Sequence, residues 1–129
     1  AERALSTGPR WAEVTSSPAA AANWSIVSFD AHVSATMLQF LIVVQRTTST
    51  VTVPDGTGNI TNETVATLPA ECVGTVTYGI PISAGSTGRG VFATYVPSSG
   101  LVRLNALAGP DDIAIAEQLS LGGTVLIRP

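Results

Sequence analysis

Apolar and polar residues alternate along much of the chain, starting near residue 27. In residues 27–34 every second position is apolar, which is typical of a strand with one buried face. Residues 36–46 follow with apolar side chains on both faces, and the β-branched residues at their end favour a strand over a helix. We therefore predict two strands here, the second of them covered on both sides.

The same pattern predicts further strands towards the C-terminus. Residues 60–68 are predicted as a further short strand closed by Pro69, residues 75–82 alternate, and residues 119–127 supply a closing strand or strand pair. Turn-forming residues separate these runs at 54–59, 83–90 and 108–112, and residues 113–116 are ambiguous. Roughly seven to nine short strands without a convincing helix predict an all-β protein, an antiparallel β-sandwich or jelly-roll-like barrel.

A β-hairpin is the clearest single element of this prediction. Two apolar runs, residues 91–96 and 101–104, flank the cluster Pro97-Ser98-Ser99-Gly100. Pro97 cannot donate a hydrogen bond to a neighbouring strand, and Gly100 can adopt the positive φ that closes a tight turn. We assign residues 26–129 to one β-sandwich domain. Residues 1–25, rich in Ala, Ser, Thr and Pro, form the predicted lead-in, with Trp24 capping the core.

Charge is scarce in this chain. Charged residues make up 12% of the 129 residues, against roughly 25% in an ordinary soluble domain, and the mean hydropathy is +0.37. A polar surface rich in Ser, Thr and Asn is one explanation, but together with the two-sided apolar strands this scarcity predicts that much surface is buried between subunits. A net charge of −3 without any lysine argues against nucleic-acid binding. The longest apolar run, residues 37–44, is far shorter than the roughly 20 residues that span a bilayer, so we predict no membrane segment.

Several short motifs occur in an order that is characteristic of one class of protein. They are Trp11 and Trp24, the apolar strand at 38–46, Val65-Ala66-Thr67-Leu68-Pro69-Ala70, the strands at 78–82 and 88–92, Ser98-Ser99-Gly100-Leu101-Val102, and Leu119-Ser120-Leu121-Gly122-Gly123. In this order the chain resembles the C-terminal head domains of bacteriophage tail-fibre and receptor-binding proteins and of related virion fibre proteins. The resemblance covers roughly residues 24–129.

The resemblance implies a β-sandwich head that forms a parallel homotrimer on the virion surface. It implies attachment to a saccharide of the host surface, without catalysis and without a cofactor. The N-terminal segment would contact other virion proteins. A purely structural virion protein, a head-decoration or fibre component without a ligand, is the alternative function.

A saccharide site usually combines an exposed aromatic side chain with a few polar groups. Tyr95, with Arg103 and Asn105 across the hairpin, is the ligand site that we predict. Asp55 and Asn59 offer oxygen ligands at alternate positions of a Gly-rich turn, which a calcium ion accepts. That turn lacks the further acidic groups of a dedicated calcium loop, so we predict no metal site and keep these two residues as candidates only.

A hydrolytic site would need His32, the one histidine of the chain. Asp30 and His32 are predicted to share a face of their strand, about 7 Å apart. The sequence contains no Gly-x-Ser-x-Gly nucleophile turn, and Cys72 has no basic neighbour that would lower its pKa. We therefore predict no enzymatic activity, with Asp30 and His32 on the solvent face of a strand and Cys72 in the core.

Overall fold

The computed structural model describes residues 10–51, 59–86, 89–107 and 113–129, which form nine β-strands and one 3₁₀ turn at Ala70–Cys72. The strands are β1 (Ala12–Glu13), β2 (Ala19–Ala20), β3 (Trp24–Val33), β4 (Met37–Arg46), β5 (Asn59–Thr67), β6 (Ile80–Ser86), β7 (Arg89–Val96), β8 (Leu101–Leu107) and β9 (Gln118–Leu126). The predicted all-β class is confirmed.

The nine strands form one antiparallel sheet in the order β1-β3-β4-β9-β6-β7-β8-β5-β2, which curls into a half-barrel. Strand β6 joins the two halves, because it pairs with β7 and, at Ser83, Ala84 and Gly85, also with β9. The predicted antiparallel pairing is confirmed. A sandwich consists of two separate sheets, whereas here the hydrogen bonding continues from one half to the other.

The inward face of the curled sheet carries the hydrophobic core. Strand β4 supplies Leu38, Phe40, Ile42 and Val44, all at most 4% exposed, as its alternation predicts. Strands β8 and β9 face them with Val102, Leu104, Leu119, Leu121 and Val125. On the opposite face of β4, Leu41 is 52% exposed within the described residues, whereas Met37 and Val43 are half-buried.

The predicted hairpin is confirmed as β7 and β8, with Val96 opposite Leu101. Gly100 has a φ of +74°, which is the left-handed conformation that glycine adopts without a Cβ penalty. Its N–H and that of Ser99 both donate to the Val96 carbonyl and close the turn. Pro97 ends β7, as its missing N–H requires.

Strand β3 departs from simple alternation. A β-bulge between Ile26 and Ser28 inserts one extra residue opposite β4. Beyond the bulge, Phe29 and Ala31 face the core as predicted, but Val27 is 47% exposed. The prediction that Val27 lies on the same face as these two residues is wrong. An extra residue in one strand interrupts the alternation, so the side chains before it point to the opposite face from the one that period two predicts.

Strand β6 begins later and runs further than its sequence predicts. Residues 74–76 donate to carbonyls of Pro97 and Ile127 rather than to a ladder, so the predicted strand at 75–82 starts at Ile80. The predicted loop at 83–90 is strand in its described part, because β9 pairs with β6 there. Pro81 lies just before the β9 pairing starts, where a missing N–H costs the ladder nothing.

The predicted lead-in supplies both edges of the sheet. Strand β1 pairs with the end of β3, and β2 pairs with the end of β5. Trp24 opens β3 and is 5% exposed, which confirms its prediction as a core residue. Residues 1–9 lie outside the described residues, as do residues 54–58 of the predicted turn at 54–59 and the predicted turn at 108–112.

Three side chains join β3, β4 and β5 where the two ends of the half-barrel approach each other. Glu63 of β5 accepts hydrogen bonds at Oε2 from Arg46 Nη1 (2.8 Å) and from the Trp24 indole N–H (3.0 Å). The Arg46 guanidinium also stacks 4.9 Å from the centre of the Trp24 ring. Arg46 is 5% exposed and Glu63 is 30% exposed. We call Trp24, Arg46 and Glu63 the seam cluster.

Candidate binding surface

The structure separates the predicted ligand residues. Tyr95 lies on the core face of β7, opposite Val102, and has no exposed surface. Its hydroxyl donates to the Cys72 carbonyl oxygen at 2.6 Å, and its ring lies 5.4 Å from that of Phe40. Burial, with a smaller contribution from Cys72, raises the pKa of Tyr95 well above its ordinary value. Tyr95 is a core residue, and its assignment to a ligand site is wrong.

Arg103 and Asn105 lie on the next strand but do not face Tyr95. Arg103 pairs with Thr94 and is half-buried on the outer face, because the register places Tyr95 opposite Val102 instead. Asn105 is the extra residue of a β-bulge in β8, where the pairing with β7 passes from Phe92 to Ala93. Its Nδ2 donates to Asn62 Oδ1 at 3.3 Å, while its Oδ1 is buried without a hydrogen-bond partner. The three predicted residues therefore do not form one site.

The calcium candidates stay predictions. Asp55 lies outside the described residues, and of Asn59 only the backbone, at the start of β5, is described. In the described part of the chain, no group of three or more His, Cys, Asp and Glu side chains could hold a metal ion.

Cys72 is confirmed as a small core residue. Its side chain is fully buried and free of any disulfide. Burial raises the pKa of the thiol to about 11, and the neighbouring Glu71 carboxylate adds to the shift. Because the thiolate is the nucleophilic form, this environment suppresses cysteine chemistry at neutral pH.

A shallow depression of about 260 Å³ lies on the outer face of β3 and β4. It is lined by Asp30, His32, Gln39, Phe40 and Leu41. The register places His32 beside Gln39 and Asp30 beside Leu41, so the predicted shared face of Asp30 and His32 is confirmed. We call the side chains of Asp30, His32, Gln39 and Leu41 the outer β3–β4 face.

The polar groups of this face are uncommitted. Within the described residues, no hydrogen bond or ion pair ties the side chain of Asp30, His32 or Gln39 to another protein group. Leu41 lies between Asp30 of β3 and Gly122 of β9, which has no side chain to cover it. The face thus combines an acceptor, an imidazole, an amide and an exposed apolar side chain.

The depression is lined by hydrogen-bonding and apolar groups. The five residues that line the depression include no serine, threonine or cysteine, so His32 has no hydroxyl or thiol beside it there to activate. Sequence reasoning placed Asp30 and His32 together but missed Gln39 and Leu41. Their proximity depends on the β3–β4 register, and the apolar sequence neighbours of Leu41, Phe40 and Ile42, give no signal for it.

Comparisons with protein-family models, with curated proteins and with solved structures give no match for this chain. Among the described residues, no helix is both long and apolar enough to cross a membrane.

Proposed function

We propose that this chain is the head domain of a virion fibre or receptor-binding protein, which attaches the particle to a saccharide of the host surface. The motif order from Trp11 to Leu121 supports this proposal as a resemblance. The observation that carries it is the outer β3–β4 face, where Asp30, His32 and Gln39 lie around the exposed Leu41 and have no side-chain partner among the described residues.

Saccharide recognition needs this combination of groups. Carboxylate, imidazole and amide side chains exchange hydrogen bonds with sugar hydroxyls, and an apolar surface packs against the C–H face of the ring. The outer β3–β4 face offers both in one shallow depression. A jelly-roll-like head that assembles as a homotrimer, with the lead-in contacting other virion proteins, completes the proposal.

A glycan array probed with the full chain tests attachment. We expect binding to a bacterial surface polysaccharide or to oligosaccharides derived from one, weakened by Leu41→Ser. A protein that binds no member of a broad array refutes the attachment function.

A purely structural virion protein is the second candidate, and one observation favours it. Large apolar side chains are exposed on the outer surface of a single chain, with Phe92 at 59% and Leu41 at 52%. Such side chains are typical of surfaces that subunits cover. Light scattering after size exclusion measures this directly: a mass of three times 13.2 kDa supports the homotrimer. A trimer that binds no saccharide favours the structural role, and a stable monomer contradicts the assembly.

A further inference from the structure

The outer β3–β4 face has a one-sided charge distribution. Strands β1, β3, β4 and β9 contain a single arginine, Arg46, which points into the core and is paired with Glu63. The chain contains no lysine. Among the described residues of these four strands, the acidic side chains on the outer face are therefore Asp30 and Glu13, and no arginine lies on that face; Arg10 and Arg128 lie beyond the strand ends, before β1 and after β9.

Glu13 belongs to the same surface as the depression. Strand β1 pairs with β3 so that Glu13 is opposite His32, and paired residues of antiparallel strands project to the same face. Asp30 lies two residues before His32, again on that face. Glu13 is exposed and does not line the depression, whereas Asp30 does.

We propose that the saccharide taken by this face is neutral, and that the two carboxylates exclude sugars bearing carboxylate or phosphate groups. The inference rests on the proposed attachment function and specifies the ligand of the same site. Asp30 has two acceptor oxygens free for a pair of adjacent sugar hydroxyls, and a charged acceptor makes the stronger hydrogen bond. An anionic sugar meets both carboxylates, and the described residues that line the depression include no arginine to compensate.

The two carboxylates have separable roles under this proposal. Asp30 contacts the sugar, so Asp30→Asn weakens binding of a neutral oligosaccharide about tenfold, the difference between a charged and a neutral acceptor. Glu13 acts at a distance through its charge, so Glu13→Gln leaves that affinity within about twofold. Instead it raises the affinity for a carboxylated oligosaccharide several-fold, and about 1 M salt abolishes this gain by screening.

The experiment is an NMR titration of the full ¹⁵N-labelled chain with neutral hexose and N-acetylhexosamine oligosaccharides, each matched to an oligomer of equal length that contains hexuronic acid. Neutral ligands are expected to shift the amides of Asp30, His32, Gln39 and Leu41. The control is Glu71→Gln, which removes the same charge from an exposed carboxylate that does not line the depression.

The outcomes distinguish the inference from the function on which it rests. If uronic-acid oligomers bind as tightly as neutral ones, or if the shifted amides cluster around Arg103, saccharide attachment stands and the neutral-ligand inference is overturned. If no saccharide binds, the attachment function fails and the inference fails with it. If Leu41→Ser lowers the oligomer mass while saccharide binding is unchanged, the face is a subunit contact and the inference is likewise overturned.

Discussion

Removing the negative charge of Glu63 should destabilise the fold at the seam cluster. Glu63→Gln keeps the shape of the side chain and an acceptor oxygen, but it leaves the Arg46 guanidinium without a counterion. Arg46 is only 5% exposed, so water cannot replace the lost carboxylate. The Trp24 indole N–H then shares a neutral amide oxygen with Arg46.

The magnitude follows from the contacts. Glu63 Oε2 accepts two hydrogen bonds, at 2.8 and 3.0 Å. A charged acceptor adds about 1 kcal/mol to each bond relative to a neutral one, so we expect a loss of about 2 kcal/mol in the free energy of unfolding. The loss of about 3–5 kcal/mol that is typical of a broken, fully buried ion pair is an upper bound. It is an upper bound because Glu63 is 30% exposed, so water already solvates part of its carboxylate.

Equilibrium urea unfolding of four proteins measures the effect: the wild type, Glu63→Gln, Arg46→Met and the double variant. Arg46→Met retains apolar contact with the Trp24 ring but removes the charge. Because both single changes destroy the same ion pair, the double variant should be more stable than the sum of the single losses implies, by about 1–2 kcal/mol. Glu71→Gln, on an exposed carboxylate, should change stability by less than about 0.5 kcal/mol.

Two results would refute this reasoning. If the losses of the two single variants sum to the loss of the double variant within about 0.5 kcal/mol, Arg46 and Glu63 do not interact energetically. A Glu63→Gln variant as stable as the control would show that Arg46 is solvated in solution, and that the seam cluster does not join the two ends of the sheet.

Three further changes test the core. Tyr95→Phe leaves the Cys72 carbonyl without its donor and should cost about 1–2 kcal/mol in urea unfolding; an unchanged midpoint would contradict the buried hydrogen bond. Because burial raises the pKa of Cys72 from 9.0 to about 11, the native thiolate fraction at pH 8 is about 100-fold below that of the unfolded chain. Thiol labelling should therefore be slow until denaturant is added. As pH rises, the thiol of the unfolded chain ionises before the native thiol does. The contribution of Cys72 to the free energy of unfolding is therefore intact below about pH 9 and is lost between about pH 9 and 11; a Cys72→Ala variant should lack this pH dependence of stability. Gly122→Ala places a Cβ against the Phe40 carbonyl oxygen and should cost more than about 2 kcal/mol, whereas Gly79→Ala meets only a side chain and should be milder.

The sequence predicted the parts of this fold in which alternation runs without interruption. In β4 the inward residues Leu38, Phe40, Ile42 and Val44 could be identified from period two alone. In β3 the same rule failed at Val27, because a single inserted residue changes which face a side chain occupies. Bulges have no strong local signature, and only the pairing with β4 reveals this one.

The candidate site depended on register, which the sequence does not determine. Tyr95 was grouped with Arg103 across the hairpin, yet Val96 pairs with Leu101, and this places Tyr95 opposite Val102 in the core. Asp30 and His32 could be placed on one face because they belong to one strand. Gln39 and Leu41 join them only through the pairing of β3 with β4.

The position of β9 in the sheet has a consequence for the order in which the fold can be completed. Residues 118–126 form the last of the nine described strands, yet they lie between β4, about 80 residues earlier, and β6. Until β9 leaves the ribosome, the inner edges of β4 and β6 have no partner strand and the two halves of the sheet are not hydrogen-bonded through it. A nascent chain must therefore keep the apolar β4 strand as an open edge until about 80 further residues have been made, and β9 then both fills the gap and joins the halves.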